Sequence, residues 1–65
     1  MTLREMRKSI GKSQADVAKE IGVSVAAVSL WESGNAKPKT ELLLPLAKLY
    51  QRSAEEIVRA VLEDE

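Results

Sequence analysis

The chain has 65 residues, ten Lys or Arg against ten Asp or Glu, and neither Cys nor His. So short a chain makes one domain, residues 1–65, that buries about 60 percent of its unfolded surface and has no spare core for a catalytic cleft. Lacking Cys and His, it has no disulfide and no zinc finger or ribbon to brace it, so helix packing must suffice. No apolar run approaches the roughly 20 residues of a membrane span, and Met1 leads into a charged segment unlike a signal peptide; the expected compartment is the cytoplasm.

Thr2 followed by Glu5 is a capping box and predicts a first helix over Leu3–Ser9, with Leu3, Met6 and Ile10 facing inward and Gly11 ending it. Ser13 and Asp16 repeat the box in a weaker form and open a second helix over Gln14–Ile21, whose Val17, Ala18 and Ile21 recur at helical spacing. Gly22 follows as a residue able to take positive φ, and Ser24 is the N-cap of a third helix from Val25 to about Ser33, with Val25, Val28 and Trp31 at helical spacing. Two helices pinched around a glycine, with the small Ala18 where they cross, have the layout of a helix-turn-helix. The second of the two projects from the body, which suits it to entering a groove.

Gly34-Asn35-Ala36-Lys37 reads as a loop stopped by Pro38, a residue suited to the first turn of a helix. A fourth helix over 39 to 50 carries Leu42, Leu43, Leu46, Ala47 and Leu49, but Pro45 removes an amide donor and opposes the Glu41 carbonyl. That helix therefore kinks or begins near Leu44 after a looser turn. Ser53 with Glu56 is another capping box and opens a fifth helix over 54 to about 62. Glu63, Asp64 and Glu65 are expected to fray, because negative charge is unfavourable at a helix C-terminus. No alternating segment is bounded by hairpin turns. The fold class is all-α, five short helices.

Charge is unevenly spread. Residues 1–40 hold seven bases against four acids, or +3, and residues 41–65 hold three against six, or −3. A basic half carrying the helix-turn-helix suits an end that meets phosphate; chance is the alternative.

Arg7, Ser13-Gln14, Ala18, Gly22-Val23-Ser24, Val28, Trp31-Glu32, Gly34, Pro38, Leu46-Ala47 and the Ser53 to Ile57 entry to the last helix form a set with specific spacing. With them the chain resembles the lambda-repressor-like, or Cro/repressor, family of helix-turn-helix proteins from Leu3 to about Val58. The resemblance implies a compact five-helix domain that binds double-stranded DNA, its third helix in the major groove, as a homodimer on a palindromic operator. It implies a transcriptional regulator, most simply a repressor, with no cofactor. It gives Gln14, with Ser13, a place at a helix N-terminus where a phosphate is favoured; a solvated surface residue is the alternative. It makes Asn35 and Lys37 backbone-phosphate contacts, for which a merely exposed loop is the alternative, and Arg7 with Glu32 a partly buried structural pair. Trp31 lies on the inward stripe and is assigned to core packing.

The chain departs from the family where it should read bases. The readout positions carry Ser24, Val25, Ala26, Ser29 and Leu30, of which only the serines can hydrogen-bond to a base edge. Direct readout would rest on apolar contact with thymine methyl groups, with phosphates setting the register and DNA shape contributing. The same apolar face fits a rival reading, a protein-interaction module or antitoxin-like partner. An enzyme is nearly excluded: no His or Cys serves as base, no glycine-rich phosphate loop appears, and Glu41, Glu55, Glu56 and Glu63 fall at exposed helical spacings. The fifth helix carries Ile57, Val58, Val61 and Leu62, two adjacent stripes. Ile57 and Val61 are expected to seal the core and Val58 and Leu62 to form a two-fold dimer interface; one broad core face is the alternative.

Overall fold

The computed structural model describes residues 1–63, and the expected fraying of Asp64 and Glu65 lies outside them. Among the described residues the order is α1 (Leu3–Ser9), α2 (Gln14–Ile21), α3 (Val25–Ser33), a 3-10 turn (Thr40–Leu42), α4 (Leu43–Tyr50) and α5 (Ala54–Glu63).

Each of the first three helices begins on the residue its cap dictates. The Thr2 amide donates to Glu5 Oε1 at 2.8 Å and the Glu5 amide donates to Thr2 Oγ1 at 3.1 Å. The Ser13–Asp16 box is as complete, with reciprocal bonds of 2.9 and 3.0 Å, because an aspartate reaches back as well as a glutamate once the cap residue is extended. Ser24 Oγ accepts from the Ala27 amide at 3.0 Å. α2 ends at Gly22, φ +86°, and α3 at Gly34, φ +81°, both in the left-handed region where a side chain would be strained. α4 ends in the same conformation at Gln51, φ 58°, without a glycine to announce it.

The fourth helix takes the second of the two expected forms. Pro45 is the third residue of α4, where its missing N–H would have had no partner inside the helix, and Glu41 lies in the 3-10 turn, outside α4. Pro38 is not in a first helical turn, as expected, but in the preceding loop; Lys39 after it is extended, φ −62°, ψ 149°, and only then does the 3-10 turn begin. Pro38 is buried there.

The core gathers Leu3 and Met6 of α1, Val17 and Ala18 of α2, Val28 and Trp31 of α3, Leu46, Ala47 and Tyr50 of α4, and Ile57 and Ala60 of α5. α2 packs on α3, α4 on α5, and α1 touches both α3 and α5. Ile10, Ile21 and Leu49 are half-buried against this core. Fully burying a side chain the size of Leu or Met is worth about 1.5–3 kcal/mol, so this set is the main source of stability. Val25 departs from the inward stripe and stays 47% exposed, because the inward arc of α3 is filled by Val28 and Trp31, with Ala27 half-buried beside them. No helix among the described residues is long and apolar enough to cross a membrane.

Candidate nucleic-acid interface

Three residues separate α2 from α3, so the helices cross closely. Ala18, 3% exposed, is the small residue that permits it. With Val28 and Trp31 fixed in the core, the opposite side of α3 presents Val25, Ala26, Ser29 and Leu30 to solvent; Val25 and Leu30 keep 47% and 45% of their surface. Ser24 is exposed at the helix start, but its hydroxyl is engaged as the cap. All five expected readout residues thus lie on or beside one outward face.

The C-terminal end of α3 is bolted to α1 and α2 through Glu32. Arg7 Nε donates to Glu32 Oε2 at 2.6 Å, Arg7 Nη2 to Oε1 at 3.1 Å, and Arg7 Nη1 to the Lys12 carbonyl at 2.9 Å. The two side chains are only 10% and 5% exposed. Burial alone would raise the Glu32 pKa, but hydrogen bonds from Arg7 and Gln14 and the positive charge of Arg7 and Arg4 together hold it below the usual carboxylate range. The same bond to Glu32 raises Arg7 above its ordinary value. Tyr50 is close enough to feel both charges; burial first, then the Glu32 carboxylate, push its phenol up to about 12.

Gln14 is part of this lock. Its Nε2 donates to Glu32 Oε1 at 3.0 Å, so the half-buried side chain expected to meet a phosphate gives one of its two amide hydrogens to the lock. The signal was present in principle: a carboxylate has about four lone-pair sites, more than one arginine in this geometry fills, so a buried Glu32 needs a further donor. What α2 still offers outward is its first turn. Ser13 Oγ takes the Asp16 amide, and the amides of Gln14 and Ala15 make no hydrogen bond among the described residues. Helix N-terminal amides of this kind favour an anion.

On the other flank, Asn35 Nδ2 donates to Ser33 Oγ at 2.9 Å, which fixes the amide beside the end of α3. Lys37 lines an open groove of about 470 Å³ with Lys39 over a floor of Val23, Ala27, Trp31 and Leu42. A second, polar concavity of about 420 Å³ lies between α1 and α3, lined by Arg4, Arg7, Gln14, Ser29, Glu32 and Ser33. Arg4 was not among the expected contacts. On α5, Ile57 and Ala60 are buried and Val61 is half-buried, whereas Val58 and Leu62 are 38% and 56% exposed.

This architecture has a counterpart among known proteins: a helix-turn-helix family model matches residues 3–57, all but the ends of the chain. The chain belongs to the lambda-repressor-like helix-turn-helix family. Within and around this family it is similar to the cryptic phage CTXphi transcriptional repressor RstR of Vibrio cholerae serotype O1, at 38% identity over 55 residues, 85% of this chain and 49% of that protein. It is similar also to repressor protein C2 of Salmonella phage P22, at 37% identity over 57 residues, 88% of this chain and 26% of that protein. The chain thus spans about half the length of one relative and about a quarter of the other. No solved structure matches it significantly.

Proposed function

We propose that this chain is a sequence-specific DNA-binding unit of a transcriptional repressor. The observation that carries the reading is the two-sided α3, pinned to the core by Val28 and Trp31 on one side and bearing a solvent-facing Val25, Ala26, Ser29 and Leu30 on the other. The names of the two relatives, both repressors, point the same way. In this reading α3 enters the major groove and Val25, Ala26 and Leu30 meet thymine methyl groups, with Ser24 and Ser29 within reach of base edges or phosphates. Ser13, the backbone of Gln14, Asn35 and Lys37 hold backbone phosphates and set the register.

A homodimer paired through Val58 and Leu62 would place two reading helices about 34 Å apart, one helical turn, on a palindromic operator. Repression follows from occupying a promoter, and the reading calls for no cofactor, metal or catalytic step. It places the protein in the cytoplasm, where the bacterial chromosome is.

The test is selection of bound sequences from a random duplex library, followed by titration of the winner in low and moderate salt. Of the phosphate contacts only Lys37 is a cation that releases counterions, so one per protomer in the dimer sets a minimum loss of about tenfold in affinity between roughly 50 and 200 mM salt. Enrichment of a palindrome with thymines in each half-site is the expected outcome. The exposure of Val25 and Leu30 favours a second reading, a protein partner docked on α3. Absence of enrichment, with weak and uniform binding, would favour that partner instead.

A further inference from the structure

Arg4 stands apart from the other arginines. Among the described residues, Arg7 is bound to Glu32, Arg52 to Glu56 at 3.4 Å and Arg59 to Glu55 at 2.8 Å, whereas Arg4 makes no hydrogen bond or salt bridge. Its side chain is exposed and lines the polar concavity between α1 and α3.

The electrostatics of that concavity favour an anion. Glu32, the one acid lining it, is bonded through both oxygens to Arg7 and feels Arg4 only through space, so two arginines face one carboxylate and the concavity keeps a net positive charge. Lys8, four residues further along α1, adds a like charge and no partner. Gln14 lines the same concavity and is the first residue of α2, so the positive end of that helix dipole faces it too.

Position decides which anion. Ser29 belongs both to this concavity and to the outward face of α3, so the concavity borders the surface assigned to base reading. A helix lying in the major groove has a sugar-phosphate strand along each edge, and a guanidinium beside such a helix meets phosphate oxygens, to which its paired donors are matched. We propose that Arg4 holds a backbone phosphate of duplex DNA at the α1 edge of α3, beside Gln14, whose amide gives one hydrogen to Glu32. The inference rests on the DNA-binding reading above and adds a contact to it.

The experiment is fluorescence anisotropy with the selected duplex and a scrambled one, using wild-type chain, Arg4→Ala and Arg4→Lys over about 50–300 mM salt. Loss of one phosphate contact per protomer should weaken both duplexes by the same factor, about eightfold at 0.1 M salt for each protomer bound, and make the log–log salt slope shallower by about 0.9 for each protomer bound. Arg4→Lys should keep the slope and lose part of the affinity. Unchanged binding by Arg4→Ala overturns the proposal, and so does a loss of preference for the selected duplex with no change in slope, the mark of a base contact. Failure of the wild-type chain to bind either duplex in a salt-dependent way overturns the DNA-binding reading itself and this contact with it, and is told apart because it needs no variant. Arg4→Gln carries the same test if Arg4→Ala lowers the melt followed by Trp31 fluorescence.

Discussion

Removing Glu32 should cost the domain a large part of its stability. The carboxylate holds two nitrogens of Arg7 at 2.6 and 3.1 Å and the Gln14 amide at 3.0 Å, and both charged side chains are 90% or more buried. Glu32→Ala strands the Arg7 guanidinium in low dielectric with only the Lys12 carbonyl as acceptor, a change that costs about 3–5 kcal/mol. A chain of 65 residues has a total stability of roughly 3–10 kcal/mol, so the variant loses from about a third to all of it. At about 4–8 °C per kcal/mol the melting temperature should fall by roughly 12–40 °C. Buried Trp31 reports the transition by fluorescence, in heat and in urea. Arg7→Met combined with Glu32→Leu, which removes both charges and keeps the volume, should recover most of the loss. Stability should also fall in acid: the folded Glu32 pKa lies below its unfolded value of about 4.3, so its contribution is present above that pH and is lost as pH drops through the folded value. Losses under about 1 kcal/mol for each single variant would refute the reasoning, because they would mean the pair is screened like a surface ion pair.

Tyr50 should titrate near 12 where a free tyrosine titrates near 10, followed by tyrosinate absorbance; its folded pKa is raised, so its contribution is full below about pH 10 and is lost between there and 12. A midpoint near 10 in the folded chain would mean that its hydroxyl reaches water. Gln14→Ala should cost about 1.5–3 kcal/mol in urea melts, as expected for a buried bond to a charged acceptor, and a change under 0.5 kcal/mol would mark Gln14 as a surface residue. Val58→Lys with Leu62→Lys should leave the monomer folded, since both side chains are exposed, and halve the sedimentation mass; an unchanged mass at working concentration would remove α5 as the dimer interface.

The fold was legible because its determinants are local. Caps at Thr2, Ser13 and Ser24 and the glycine at 22 mark the helix limits within the sequence itself, and α1, α2 and α3 start and stop where those residues say. Where the determinant is tertiary, sequence reading fell short. Pro45 is compatible with two arrangements of α4, and only the packing of the 3-10 turn chooses between them. The outward face of α3 was legible once Val28 and Trp31 were fixed, since the opposite side of a short helix must be exposed. The bond from Gln14 to Glu32 and the isolation of Arg4 were not, because both depend on Glu32 being 18 and 28 residues away in sequence and adjacent in space.

In the proposed reading the apolar outward face of α3 limits what base contacts alone can achieve, and this yields a last prediction. One thymine methyl buried against Val25, Ala26 or Leu30 is worth about 0.8 kcal/mol, near fourfold, against about 1–3 kcal/mol for a bidentate hydrogen-bonded pair. Two such methyls in each of two half-sites give about 3 kcal/mol, roughly 200-fold, short of the 10³–10⁷ that separates specific from non-specific binding. The remainder must come from the energy of deforming particular DNA sequences, which a protein can sense only if its phosphate anchors and its reading helix are held rigidly with respect to one another. The Arg7–Glu32–Gln14 lock does this, joining α1, the first turn of α2 and the last turn of α3. Replacing each conserved thymine of the selected duplex by deoxyuridine, which deletes only the methyl, should therefore weaken binding about fourfold per site. Changing the central, uncontacted base pairs should weaken it by at least as much. If deoxyuridine has no effect, the outward face of α3 does not read methyl groups; if the central pairs have none, the missing discrimination lies in contacts of Ser24 and Ser29 with base edges.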